Sequence, residues 1–213
     1  MYALDDTTAA SISVGGNVAA TSNQSPGIIW SSNGSSSVSN VAILGIDQAS
    51  TTGVPSPTAP AYPAGTPAYT ACNGNSNGSC DTSNIVSYYN FNRTTGGAAP
   101  TPLTQYASGL CKATISSFSD WYLPAICEMG YDTNTNGSGC GSSGTPTLQN
   151  MQLNLVDTGN IGGLSGNFWS STEYSGSPSS RAWFQFFLGG GGNQNQFFKL
   201  YALGVRCSRA LTP

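Results

Sequence analysis

The chain has 213 residues, and Ser, Thr, Asn and Gly supply 97 of them. Charged residues are only 7 %, histidine is absent, and the formal net charge is −3 with six Lys and Arg in all. This excludes imidazole chemistry and histidine metal sites, and six basic side chains are too few to neutralise a nucleic-acid backbone. The length suits one large domain or two small ones. With 10 Tyr, 8 Phe and 4 Trp among 38 % hydrophobic residues, the chain has the apolar material of a folded protein.

The opening Met1-Tyr-Ala-Leu-Asp-Asp6 lacks a basic n-region and an apolar h-region, so it does not read as a signal peptide. No run of eighteen apolar residues occurs, so no membrane span is expected. Ala10-Ser-Ile-Ser-Val14 alternates apolar and polar residues, the period of a strand. Gly15-Gly16-Asn17 breaks it, and Val18–Thr21 either continues the strand or pairs back. Gly27–Ser31 is a short apolar run, Asn33-Gly34 signals a turn, and Val38–Ile46 is a second apolar run. That gives about four strands, fewer than the usual seven of a closed sandwich, so the segment reads as an incomplete Ig-like β-sandwich. The Pro-rich stretch Val54–Pro67 reads as an extended, stiff connector. The expected division is residues 1–22 as an N-terminal extension or donor strand, 23–70 as the partial sandwich with its connector, and 71–213 as a second domain.

That second part reads as mixed. Thr101-Pro102 is a helix start signal, and Leu103, Tyr106, Ala107, Leu110 and Cys111 follow at helical spacing. Thr145-Pro146 repeats the signal, with Leu148, Met151 and Leu155 behind it and Gly159 as a stop. A short helix is expected over Pro124–Met129, and Ile85, Tyr88 and Tyr89 could line another. The last segment is strand-like. Ala182–Leu188 is aromatic, Gly189–Gly192 turns it, and Gln196–Leu200 and Leu203–Cys207 follow.

Six cysteines, none in a CxxC pair, point to disulfides and an oxidising compartment. Of fifteen connectivities, the expected set is Cys72–Cys80, Cys127–Cys140 and Cys111–Cys207. The first two close short polar loops. The third is what remains, and it would tie a helix to the last strand.

Four segments carry a resemblance. Ser119-Asp-Trp-Tyr-Leu-Pro-Ala-Ile-Cys-Glu-Met129, Asn167-Phe-Trp-Ser-Ser-Thr-Glu173, Ala182-Trp183 and Gly204-Val-Arg-Cys-Ser-Arg209 resemble, in order, motifs of the Lcl-type C-terminal domain of collagen-like bacterial adhesins. The resemblance covers about residues 72–211. It implies a C-type-lectin-like fold, a twisted antiparallel sheet flanked by helices, in an extracellular protein. It makes Asp120, Trp121, Leu123, Pro124, Glu128, Trp169, Ser170, Ser171, Glu173, Trp183 and Arg206 the motif residues. The adhesin that names the family binds sulfated glycans. A chain with six basic residues has little to offer a polyanion, and it lacks the Glu-Pro-Asn and Gln-Pro-Asp triplets of calcium-dependent lectins.

Glu128 and Glu173 are the only glutamates. A glycosidase needs two carboxylates across a bond, but such a pair more simply accepts hydrogen bonds within the fold, with Arg206 and Arg209 as the expected ionic partners. A Ser–Lys pair would require Lys112 or Lys199 to be buried, and nothing around either residue suggests it. Asp120, Asp132 and Asp157 lack the spacing of an EF-hand. No catalytic residue, metal or cofactor is therefore expected. Sequons stand at Asn23, Asn33, Asn77, Asn92 and Asn136, Asn92 being the candidate for glycosylation. The aromatic residues of the last stretch, Trp169 to Tyr201, read as sheet core, or where exposed as a surface for glycan stacking or subunit contact.

Two functions are consistent with these features. The first is a structural subunit of an extracellular, pilus-like bacterial fibre. It would be a homopolymer built by donor-strand exchange, in which Ala10, Ile12 and Val14 fill pockets of a neighbour and Gly15-Gly16 supply the bend back. The second is a surface or phage lectin-like adhesin or receptor-binding module that takes host or environmental glycans.

Overall fold

The computed structural model describes residues 1–5, 15–31, 42–48, 69–95, 101–133 and 135–211. Within them the chain is a mixed α/β structure with largely antiparallel sheets. The strands are β1 (Ala3–Asp5), β2 (Gly15–Ala19), β3 (Ser25–Ile29), β4 (Gly141–Ser142), β5 (Thr145–Pro146), β6 (Gly166–Glu173), β7 (Arg181–Phe187), β8 (Asn193–Phe198), β9 (Ala202–Val205) and β10 (Ser208–Leu211). The helices are α1 (Gly78–Thr95), α2 (Ala107–Lys112) and α3 (Ile126–Met129).

The largest sheet has the order β3-β9-β6-β7-β8. Its hairpin β7–β8 forms where an aromatic run meets four glycines, and Gly190 and Gly191 take φ of +79° and +142°, which other residues rarely adopt. From Phe168 to Glu173 every residue of β6 is buried, because α1 and α3 both pack on this strand. Polar side chains on such a strand must find partners inside the protein.

Among the described residues, the strands before residue 30 also pair with the C-terminal part of the chain. β2 lies between β1 and β10, with Ala19 opposite Ser208 and Gly16 opposite Leu211. β3 pairs with β9. The described part of the run Val38–Ile46 is not a strand: Ala42, Ile43 and Ile46 are buried, and Asp47 forms a single parallel bridge to Glu173. The physical reason is the core. Trp30, Ile43 and Ile46 share one apolar cluster with Ile85, Tyr89, Leu123, Trp169 and Val205. A second cluster joins Tyr2 to Met129, Met151, Leu155, Phe168 and Phe187. Gly15 and Gly16, expected at a bend, stand in β2 opposite Asp5 and Leu4. Ala10, Ile12 and Val14 lie outside the described residues, as do the Pro-rich connector and Asn33.

Two helix signals resolve differently from expectation. After Thr101-Pro102 the chain makes only a 3₁₀ turn at Leu103–Gln105, and Tyr106 is extended before α2 begins. Tyr106 is fully buried with its ring 4.9 Å from that of Tyr89, and this packing wins over the helical period. Thr145-Pro146 pairs with β4 instead of opening a helix. The helical turn comes later, as a π-turn over Gln152–Val156. The Thr147 amide bonds the Cys140 carbonyl, so the disulfide-anchored loop holds this stretch extended. The helix at Ile85–Tyr89 runs the full length of α1, and the one after Pro124 is α3.

The three disulfides are Cys72–Cys80, Cys111–Cys207 and Cys127–Cys140, the expected set, spanning 8, 96 and 13 positions. The long one ties α2 to the junction of β9 and β10. Among the described residues no helix is long and apolar enough to cross a membrane.

Candidate functional site

The chemistry-bearing residues named by the motifs converge on the buried strand β6 and the starts of α1 and α3. At the end of β6, Glu173 is wholly buried. Its two carboxylate oxygens accept the Ile43 amide at 3.0 and 3.1 Å, and Oε1 receives the ammonium of Lys199. Lys199 is also fully buried. It donates to the Pro178 carbonyl at 2.6 Å and lies 4.2 Å above the centre of the Trp30 ring. Burial pushes Glu173 up to about 7 and pulls Lys199 down, while the contact between them opposes both shifts.

Glu128 occupies a different position. Its Oε2 accepts the amides of Ala125 at 2.7 Å and Gly78 at 3.2 Å, and its Oε1 accepts the Tyr122 hydroxyl at 3.2 Å. One carboxylate thus closes the first turn of α3 and the start of α1, where helix dipoles favour negative charge. Burial outweighs these donors and raises Glu128 to about 7. The first turn of α1 also brings Asp81 into the interior, where Oδ2 accepts the Ser171 hydroxyl at 2.8 Å. Burial raises Asp81 well above its ordinary value, with Glu128, Glu173 and Asp47 adding repulsion.

The remaining motif residues serve the same frame. Ser170 Oγ donates to the Trp183 carbonyl at 2.8 Å. Ser171 N donates to the Pro124 carbonyl at 2.9 Å. Thr172 Oγ1 accepts the Ile126 amide and donates to the Gly74 carbonyl. Trp169 Nε1 donates to the Ile28 carbonyl and Trp121 Nε1 to the Ile115 carbonyl, and Leu123 is fully buried. Every one of these groups fastens a strand, loop or helix to its neighbour.

The basic partners differ from expectation. Arg206 donates to Asn23 Oδ1 and to the carbonyls of Ala20 and Gly162, and Arg209 pairs with Asp120 at 2.5 Å while covering the Phe118 ring. Lys199, for which no burial was expected, is the ionic partner of Glu173. The signal in the sequence was its place in Phe197-Phe-Lys-Leu200, a charge inside an apolar run. Its ammonium donates to Glu173 and to the Pro178 carbonyl, and its backbone amide donates to the Ser180 carbonyl at 3.0 Å.

The other aspartates accept local bonds: Asp132 from the amides of Asn136, Gly137 and Ser138, and Asp157 from Tyr131, Gln152 and Gly190. Three sequon asparagines are engaged within the fold. Asn23 accepts from Arg206, Asn77 accepts the Cys80 amide, and Asn136 donates to the Gln194 carbonyl. Asn92 falls in the last part of α1.

No protein-family model, curated protein or solved structure matches the chain. The structure defines a mixed α/β class, with antiparallel sheets, a buried carboxylate-rich frame and three disulfides.

Proposed function

We propose that the chain is a structural subunit of an extracellular fibre that polymerises when its N-terminal arm leaves the subunit and inserts into a neighbouring copy. The observation that carries this is the register between Asp5 and Gly15. Asp5 and Gly15 stand opposite each other, so the segment that joins them begins and ends at one place on the sheet. With β1 seated, nine residues out and back reach only about 15 Å, at 3.3–3.6 Å per residue. With β1 released, residues 1–14 make an arm of about 45 Å, pivoting on Gly15-Gly16.

The arm carries its own anchor. Tyr2 is buried, its amide donates to the Asn17 carbonyl, and its hydroxyl bonds Ser208 at 2.9 Å. Identical pockets exist in every copy, so exchange of the arm replaces each lost contact with the same contact on a neighbour. The alternation of Ala10, Ile12 and Val14 suits strand addition, and residues 7–14 contain no charge that would oppose burial. Three disulfides and the absence of a spanning helix among the described residues support an oxidising, extracellular setting.

For the fold, we retain the C-type-lectin-like reading for residues 71–213, in line with the resemblance to Lcl-type domains. The pairing of β2 with β10 and of β3 with β9 supports reading these two strands as part of that body. A second functional reading, a lectin-like surface module, is supported by the exposed aromatic rings around β8. Negative-stain microscopy of the purified chain and of Ile12→Asp tests the fibre. Filaments from the parent and folded, disulfide-bonded, unpolymerised Ile12→Asp are expected. Normal filaments from Ile12→Asp would overturn the reading.

A further inference from the structure

Among the described residues, β8, an outermost strand of the large sheet, pairs only with β7. On one face of this hairpin the cross-strand partners form a row: Asn167 on β6 opposite Phe186 on β7, and Phe186 opposite Asn193 on β8. Directly opposed residues project from the same face. The next positions along that face are Phe184 opposite Asn195, then Phe197. The Phe197 ring meets Phe184 at 6.1 Å and Tyr201 at 4.5 Å. Phe197 is 36 % and Tyr201 53 % exposed, Asn167 is exposed, and Phe184, Phe186, Asn193 and Asn195 are half-buried.

This is an apolar surface interrupted at regular intervals by amides. Among the described residues, the side-chain amides of Asn167 and Asn193 have no partner, and Asn195 uses only its oxygen, for the Gln196 amide. Arg181, on β7, is already occupied. Its guanidinium stacks on Phe198 at 4.4 Å and donates to Gln196. Exposed aromatic rings bordered by polar groups mark binding surfaces. The polar groups here choose between occupants. A protein segment laid over the row would bury amides that each then need a partner. A sugar ring offers an apolar C–H face to Phe or Tyr and hydroxyls, at once donors and acceptors, to the amides. A charged glycan would find no counter-charge.

We propose that the β7–β8 face, with Phe186, Phe197 and Tyr201 as stacking rings and Asn167 and Asn193 as hydrogen-bonding groups, binds neutral oligosaccharides. The proposal rests on the lectin-like reading and is independent of polymerisation. Uncharged side chains make binding insensitive to salt, unlike the capture of sulfated polymers.

The test is isothermal titration of the full chain with maltohexaose, cellohexaose and chitohexaose, with heparin as the anionic comparison. At least one neutral hexasaccharide is expected to bind, and heparin to bind none or less. Tyr201→Ser and Asn193→Ala should each weaken that binding about tenfold, the loss of one ring or amide contact. Phe118→Ser, an exposed ring remote in sequence from this face, should leave it unchanged. Melting curves and intact disulfides establish that each variant is folded. Binding to none of the three sugars would overturn both the lectin-like reading and the site. Sugar binding untouched by Tyr201→Ser and Asn193→Ala would overturn the site alone. Loss of filaments with Tyr201→Ser, without sugar binding by the parent, would assign the face to contacts between copies and overturn the proposal.

Discussion

Glu173 and Lys199 form an ion pair with neither side chain reaching solvent. A buried pair gains little over an apolar replacement but is costly to break, because the survivor is left charged and uncompensated. Lys199→Met should therefore destabilise the chain by about 3–5 kcal/mol. Glu173→Gln added to it should recover a large part, since the amide can still accept from Ile43. Denaturant unfolding of the two singles and the double reads the coupling. Additive losses would show that the pair does not act as a unit.

Glu128 sets a pH dependence. Its folded value of about 7 lies above the ~4.3 of an unfolded glutamate. Between those values the folded state keeps a proton that the unfolded state has released, so stability falls as pH rises through the window and levels off above it. The effect is on the order of 4 kcal/mol at most. Melting temperature should be higher near pH 4.5 than near pH 7.5, and Glu128→Gln should reduce the difference, leaving the part set by the raised Glu173 and Asp81. A parent protein more stable at pH 7.5 would contradict this assignment.

The disulfides should contribute unequally. Loop-closure entropy grows with span, so the pair Cys111–Cys207, 96 positions apart, is worth nearly 5 kcal/mol and Cys72–Cys80, 8 apart, about 2.5. Replacing each pair by alanine and comparing melting temperatures tests the ranking, and non-reducing peptide mapping checks the connectivity itself. Free thiols at Cys111 and Cys207 would refute the long link.

Gly78 stands where α1 meets the 123–125 segment. A Cβ there would come within 2.5 Å of the Ala125 nitrogen and of Glu128 Oε2, and 2.6 Å of the Leu123 carbonyl. Gly78→Ala should cost about 2–3 kcal/mol or more, as overpacking against backbone does. Gly144→Ala meets nothing within 4 Å and should be neutral or slightly stabilising. Paired chemical-denaturation curves decide it, and equal effects would mean the close approach at Gly78 is relieved without strain.

Local signals were readable where local physics decides. Four glycines after Ala182–Leu188 announce the β7–β8 hairpin, Pro124 announces α3, and two disulfides close short polar loops. What a strand pairs with is not local. Val18 and Ile28 read as strand residues, but nothing in their period says that β10 and β9 are their partners. Tyr106 fits a helical stripe, yet its contact with Tyr89 across α1 breaks the helix. Glu173 could be read as a carboxylate needing a cation. Choosing Lys199 over Arg206 or Arg209 required the turn after β8 that brings the lysine back beneath Trp30.

The bond between Tyr2 and Ser208 spans 206 positions. Contacts of such high sequence separation form late and slowly, because loop-closure entropy is lost before they give anything in return. The sheet β1-β2-β10 is therefore expected to close late during folding. Until then the Tyr2 pocket stands open to any matching ribbon within reach. In dilute solution the chain's own ribbon has the higher effective concentration, whereas at high protein concentration another molecule's competes. If the arm exchanges between copies as proposed, refolding yield of closed monomer should depend on protein concentration, and the order of assembly events, not the final energy, would select between single and joined molecules.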